Sequence, residues 1–220
     1  MQFVYDKNAS QESLSVKDEN YRYLFRARRL KIGDVVAFRN LVDDTLYHYK
    51  IEEIGKKEAM LSLQERYHDS KTLDKKLHIL WCIIDTKVIE KTLPMLNQIG
   101  VSKITFFYCD RSQKNFKPDV ERMQKILINS CQQSGRSDLM ALEILASMDE
   151  VLEKYQEFSI LDFGGEGSLE DVETIMIGCE GGFSENEREK LSFAQKIGLN
   201  TPLILKSETA ALTFASKLLI

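Results

Sequence analysis

Ile175-Met176-Ile177-Gly178-Cys179-Glu180-Gly181-Gly182-Phe183-Ser184 opens as an apolar run, turns through glycines and ends on a residue type that caps helices. An apolar strand, a glycine turn and a helix start, in that order, are the grammar of a mainly parallel α/β sheet. Glycines let backbone amides approach a ligand with no Cβ in the way. The helix start behind them adds unpaired N–H groups and the positive end of a dipole. Open α/β sheets bind small molecules at such strand ends. The segment has neither the GxGxxG nor the GxxxxGK[ST] spacing, which disfavours a dinucleotide fold or a phosphate loop.

Two neighbouring segments repeat the pattern. Ile160-Leu161-Asp162-Phe163-Gly164-Gly165-Glu166-Gly167 reads as a strand running into a glycine-rich loop. Leu203-Ile204-Leu205-Lys206-Ser207-Glu208-Thr209 reads as a strand, within TPLILK, giving way directly to a helix over 207–219 capped by Ser207. Three loop-bearing strand ends in the last third of the chain predict one composite pocket. Ser184-Glu185-Asn186-Glu187 is a capping box opening a helix that the pattern carries to Lys196.

Further upstream, LHILWCII and KITFFYCD are continuous apolar runs, as buried parallel strands require. Between them VIEKTLPMLNQIG has helical spacing, with Pro94 inside it and Gly100 placed as a C-terminal stop. A helix over 119–133 follows Pro118, then a strand over 139–145 and a helix over 148–155. Before about residue 68 the grammar differs. VVAFRNL, TLYHYKIEEI and AMLSLQERY are short strands separated by turn residues, which predicts a small β-barrel over residues 1–68. A polar linker separates it from an α/β domain over residues 72–220.

The 220 residues carry a net charge of −4, which by itself argues against nucleic acid. The distribution argues otherwise, because Arg22, Arg26, Arg28, Arg29 and Lys31 crowd into ten residues. Phosphate binding needs a local cationic face rather than a basic protein. Cys82, Cys109, Cys131 and Cys179 form no CxxC pair and have no accompanying histidine spacing, so no metal is expected and buried free thiols are. With no signal-like start and no apolar run of membrane-spanning length, a soluble cytoplasmic protein is expected, with no membrane partner.

Five stretches, in order along nearly the whole chain, resemble one family. IGCEGGFSENE is similar to its IGPEGGFS-x-x-E and LILKSETAAL to its ILRTETAAL. Cys131-Gln132-Gln133-Ser134-Gly135-Arg136 resembles its EQ-x-x-R, and Ile99-Gly100-Val101 with Asp110-Arg111-Ser112 resembles its LGV and ERS. Residues 23–34 are similar to its HL-x-R-x-x-R-x-x-x-GD opening. The family is the SPOUT-superfamily uridine-N3 methyltransferases of small-subunit (16S) ribosomal RNA. The chain departs from the pattern at Met95, Gln98, Cys179 and Lys206.

The resemblance implies a PUA-like barrel, a C-terminal α/β domain with a trefoil knot, and a homodimer. It also implies S-adenosyl-L-methionine as methyl donor, and small-subunit ribosomal RNA or the assembled subunit as partner. Carried over by position, the donor site has three walls. Leu161, Phe163 and Gly164 form one, Ile177, Gly178, Gly181 and Gly182 the second, and Leu203, Leu205, Ser207 and Thr209 the third. Arg136 is expected to stabilise an anionic base, Arg111 to orient the RNA, and Glu208, with Glu180 as the other candidate, to accept a proton. Arg22, Arg26, Arg28 and Arg29 are expected to grip phosphates. Two other readings remain: a SPOUT enzyme with another target atom, and a non-catalytic RNA-binding or ribosome-assembly protein on the same scaffold.

Overall fold

The computed structural model describes residues 1–220. In chain order the elements are β1 (Val4–Tyr5), β2 (Ser13–Lys17), α1 (Asp18–Tyr21), a π-helical turn (Arg22–Ala27), β3 (Val35–Arg39), β4 (Thr45–Ile54) and β5 (Glu58–His68). Then come β6 (His78–Cys82), α2 (Thr86–Ile99), β7 (Lys103–Phe107), α3 (Val120–Ser134), β8 (Ala141–Leu145) and α4 (Met148–Lys154). The last are β9 (Ser159–Leu161), β10 (Thr174–Ile177), α5 (Glu185–Lys190), β11 (Gln195–Ile197) and α6 (Ser207–Leu219). They group into two compact units: residues 1–72 with 128–139, and residues 73–127 with 140–220.

The first unit is built on a curled five-stranded sheet in the order β1-β3-β4-β5-β2. Only β1 and β3 run parallel; the other pairs are antiparallel. The edge strands β1 and β2 do not pair with each other, so the expected PUA-like barrel is present as a half-barrel. Alternation along β2, exposed-buried-exposed-buried-exposed, turns Leu14 and Val16 inward. They meet Leu24, Phe38, Tyr49 and Ile51 in a closed apolar core.

The second unit carries a six-stranded sheet in the order β11-β9-β10-β6-β7-β8, every pair parallel. This is the expected α/β class. The strands in its middle are buried on both faces, which is why LHILWCII and TIMI read as unbroken apolar runs. The chain adds β7 and β8 on one side of β6 and then places β9, β10 and β11 on the other. Such a reversal opens a crevice at the strands' C-terminal ends. α2 ends where Gly100 takes a left-handed conformation, φ 108°, and it passes through Pro94 unbroken. No helix is long and apolar enough to cross a membrane.

Two expected elements are corrected. The strand read over TPLILK is not one: β11 lies earlier, at Gln195–Ile197, and Leu203-Ile204-Leu205 is loop. The helix begun at Ser184 stops at Lys190 rather than Lys196. β11 is held at the sheet edge through backbone pairing to β9, and two of its three side chains are exposed. A strand bonded through its backbone leaves little trace in hydrophobic pattern.

A polar network ties β6, β7, β8 and α4 together. His78 Nε2 lies 2.8 Å from Thr105 Oγ1, which donates to Glu143 at 2.9 Å. Lys103, Lys154 and Tyr155 also converge on Glu143. Burial would raise the Glu143 carboxyl, but these partners outweigh it and hold it well below the usual carboxylate range. Burial, aided by the Lys103 charge, pulls His78 down to about 4. Both groups therefore bind protons more readily unfolded than folded, so stability falls as pH falls. His78 acts from about pH 6.5 down to about 4, and Glu143 acts below about 4.5. In urea unfolding the native chain should lose about 1–2 kcal/mol more than His78→Gln between pH 7 and pH 4, allowing for solvent screening. Parallel stability curves for the two proteins would exclude His78 as the source.

Candidate cofactor cavity

A cavity of about 1010 Å³ opens at the C-terminal ends of β9, β10 and β11. Residues 161–167, 177–183 and 198–205 line it, with Arg188, Ser207 and Ala210. Each wall has a local cause. After β10 the chain turns sharply because Gly182 adopts φ 66°, a conformation that disfavours any side chain with a Cβ. The turn hands over to α5 through a complete capping box between Ser184 and Glu187. Buried Glu187 also accepts the backbone N–H of Asp110, so one carboxylate fixes the β10–α5 turn to the loop after β7.

Ser207 does not cap α6. The N-cap is Lys206, with no side-chain bond, and Ser207 is the first residue of the helix. Its hydroxyl donates to the Gly178 carbonyl at 2.6 Å and accepts from the Trp81 indole at 2.8 Å. This relay joins the centre of β6, the second wall and the start of α6. Arg111 donates to the Gly181 carbonyl, and its methylenes pack against that glycine.

Leu161, Phe163, Gly164, Ile177, Gly178, Gly181, Gly182, Leu203, Leu205 and Ser207 all line the cavity, as does Glu180. Thr209 is exposed and is not among the lining residues. Glu208 is half-buried in the first turn of α6 and also stands outside the lining. Arg136 belongs to the first unit, where its buried guanidinium forms a two-pronged ion pair with Asp138, 2.7 and 3.0 Å. Arg22, Arg26, Arg28 and Arg29 are exposed on the π-helical turn and the residues after it, and none makes an ion pair.

Sequence reasoning missed Asp162 and Arg188, which face each other across the cavity wall as an ion pair at 2.6 Å. It also missed residues 198–202, because Thr201 and Pro202 fall within TPLILK, whose composition reads as a strand, and no motif marks 198–200. The charged lining groups are Asp162, Glu166 and Glu180 against Arg188, an excess of acid that favours a cation.

Three thiols lie beside the second wall. Cys109 Sγ is 3.4 Å from Cys179 Sγ and 3.2 Å from Ser112 Oγ. The contact between the two thiols lowers the first ionisation of the pair and raises the second. Burial pushes Cys82 well up.

Residues 71–219 match a family described as the RNA methyltransferase domain, and residues 16–64 match the RNA methyltransferase PUA domain. The ribosomal RNA small subunit methyltransferase E of Helicobacter pylori is 43% identical over 222 residues, covering 98% of either chain. Among solved structures, a putative methyltransferase of Legionella pneumophila, in complex with the bound cofactor SAM, superposes with a TM-score of 0.85. It is 23% identical, with coverage of 99% of this chain and 96% of that one. The ribosomal RNA small subunit methyltransferase E of Neisseria gonorrhoeae, bound to S-adenosyl methionine, superposes at 0.84 with 19% identity and the same coverage. These two likenesses speak to the fold alone. Joined to the sequence match along the whole chain, they accompany a plain conclusion: the chain belongs to the RNA methyltransferases, in the family of ribosomal RNA small subunit methyltransferase E.

Proposed function

We propose that this protein transfers a methyl group from S-adenosylmethionine to N3 of a uridine in small-subunit ribosomal RNA. The observation that carries the reading is the meeting of three strand-end loops in one cavity with an acidic lining. About 1010 Å³ accommodates a nucleoside-sized ligand. Leu161, Ile177 and Leu205 offer an apolar slot for adenine, the glycine turns expose backbone donors and acceptors, and the carboxylates suit a sulfonium. When bound, the cofactor supplies an electrophilic methyl group.

The chain's own residues would orient the base and handle the proton of N3. Glu208 is the proposed proton acceptor, with Glu180, which lines the cavity, as the other candidate; neither makes an ion pair. Arg111 fixes the second wall through Gly181 and, being exposed, has donors left for RNA. Arg136, the proposed stabiliser of the anionic base, would have to exchange its Asp138 carboxylate for that base. N3 lies on the pairing edge, so the target uridine must be unpaired or flipped out. The half-barrel of residues 1–68 would hold the RNA through Arg22, Arg26, Arg28 and Arg29, leaving the chemistry to residues 72–220.

A homodimer fits the surface: Phe163, Leu203 and Ile204 stand 69%, 67% and 90% exposed at the cavity, an apolar edge that a second copy would cover. The trefoil knot is part of the same proposal, and the close crossing of Gly165 with Ile197 and Gly198 is consistent with a threaded chain. Cysteines held as thiols rather than disulfides suit a reducing cytoplasm.

Mass mapping of ribosomal RNA from cells lacking the protein tests the reading. One methyluridine should disappear from the small-subunit RNA and return when the chain is restored. An unchanged small-subunit methylation map would sink it.

A further inference from the structure

Three of the four cysteines sit at the C-terminal ends of adjacent central strands. Cys82 closes β6, Cys109 follows β7 and Cys179 follows β10. Of the three, Cys179 alone lines the cavity. Its sulfur is 3.4 Å from that of Cys109, although the two residues are 70 apart in sequence. Cys82 is wholly buried, on the strand between those that precede Cys109 and Cys179. Cys131 belongs to the other unit.

The geometry points to Cys109 and Cys179 as an oxidation site for a small peroxide, which reaches Cys179 through the cavity and leaves the two residues joined as a reversible disulfide. A disulfide requires an S–S distance of ~2.0 Å, so the sulfurs must close by roughly 1.4 Å. Cys179 stands on a turn with Gly178 before it and Gly181 and Gly182 after it, so the backbone can supply that movement.

The chemistry balances without a metal or a flavin. The Cys179 sulfur attacks one peroxide oxygen, the O–O bond breaks, and the thiol proton leaves with the departing hydroxide as water. The product is a sulfenic acid. The Cys109 sulfur then attacks the Cys179 sulfur, and the sulfenic oxygen departs with the Cys109 proton as a second water. Two thiols have lost two electrons to one peroxide. A small thiol reverses the change by exchange.

The consequence for binding rests on the cavity being the cofactor site. Cys179 follows Gly178, whose carbonyl is held by Ser207, so drawing Cys179 toward Cys109 pulls the second wall out of register with α6. The disulfide form should bind S-adenosylmethionine roughly tenfold more weakly, about 1.4 kcal/mol.

The test uses the full chain, reduced with dithiothreitol, freed of it and then treated with hydrogen peroxide. Peptide mass spectrometry after alkylation should find Cys109 linked to Cys179, two hydrogens lighter than the separate peptides. Calorimetry should show weakened S-adenosylmethionine binding that dithiothreitol restores. Cys109→Ser, which alters no residue lining the cavity, should bind like the native chain when reduced, and after peroxide it should form no linked peptide and instead carry a sulfenic acid at Cys179 that dimedone traps. A Cys82–Cys109 link, no link at all, or no trapped sulfenic acid at Cys179 in Cys109→Ser would overturn the proposal, as would a link that leaves affinity unchanged. Reduced protein that binds no S-adenosylmethionine would count against the cofactor reading instead, while the linked peptide alone decides the oxidation site.

Discussion

Gly165→Ala should lower the melting temperature by about 6–12 °C and abolish S-adenosylmethionine binding, the melting shift corresponding to about 3 kcal/mol in a chain of this size. A Cβ built on Gly165 would lie 2.6 Å from both the backbone nitrogen and the carbonyl carbon of Ile197 and 2.7 Å from the carbonyl carbon of Lys196. These are main-chain atoms of β11, so no rotamer change can relieve the clash. Moving β11 away would strain the bonds from Asp162 N–H to the Ile197 carbonyl and from Gly167 N–H to the Lys196 carbonyl. It would also disturb the pairing of β11 with β9. Residues 161–167 form one wall of the cavity, so the same displacement reaches the proposed cofactor site. Differential scanning calorimetry and cofactor titration on the purified variant are the measurements. A variant that melts and binds as the native chain does would show that the loop and β11 yield independently of one another.

For the double variant Arg26→Ala with Arg29→Ala, the expected result is a loss of RNA affinity with the fold intact. Both guanidiniums are exposed and make no ion pair, so nothing in the folded chain depends on their charge. Arg29 sits at φ 57°, which alanine tolerates no worse than arginine. Each phosphate contact on single-stranded RNA contributes ~0.7 to the slope of log affinity against log salt. Removing two should flatten that slope by about 1.4 and weaken binding roughly tenfold to hundredfold near 0.1 M salt. Filter binding of a small-subunit RNA fragment across a salt series reads both quantities, and circular dichroism checks the fold. An unchanged slope would remove the π-helical turn from the RNA interface. S-adenosylmethionine titration of the same variant separates a lost RNA contact from a damaged protein.

Much of the candidate cavity was legible because its markers are local. A glycine after an apolar run says where a strand must end and where a backbone can approach a ligand, and the Gly178, Gly182 and Gly164 loops all lie where that rule puts them. The capping box at Ser184 is likewise a four-residue fact. Failure came where an element is held by distant partners. Leu203-Ile204-Leu205 has the composition of a buried strand, yet Leu203 and Ile204 project into solvent. Periodicity cannot distinguish an apolar loop awaiting a partner from a strand already inside a sheet. Arg136 looked like an available charge, and the geometry around Asp138 gives it a carboxylate.

By itself the sequence determined the class of fold, the two grammars on either side of residue 70 and the glycine turns, because backbone preference and hydrophobic periodicity act over a few residues. Only the tertiary structure decided the order β11-β9-β10-β6-β7-β8, and with it every meeting of residues far apart in the chain. Asp162 against Arg188, Trp81 through Ser207 to Gly178, and Cys109 beside Cys179 all follow from that order. Which strand lies beside which is settled by burial of the whole sheet, a collective energy that no single segment encodes.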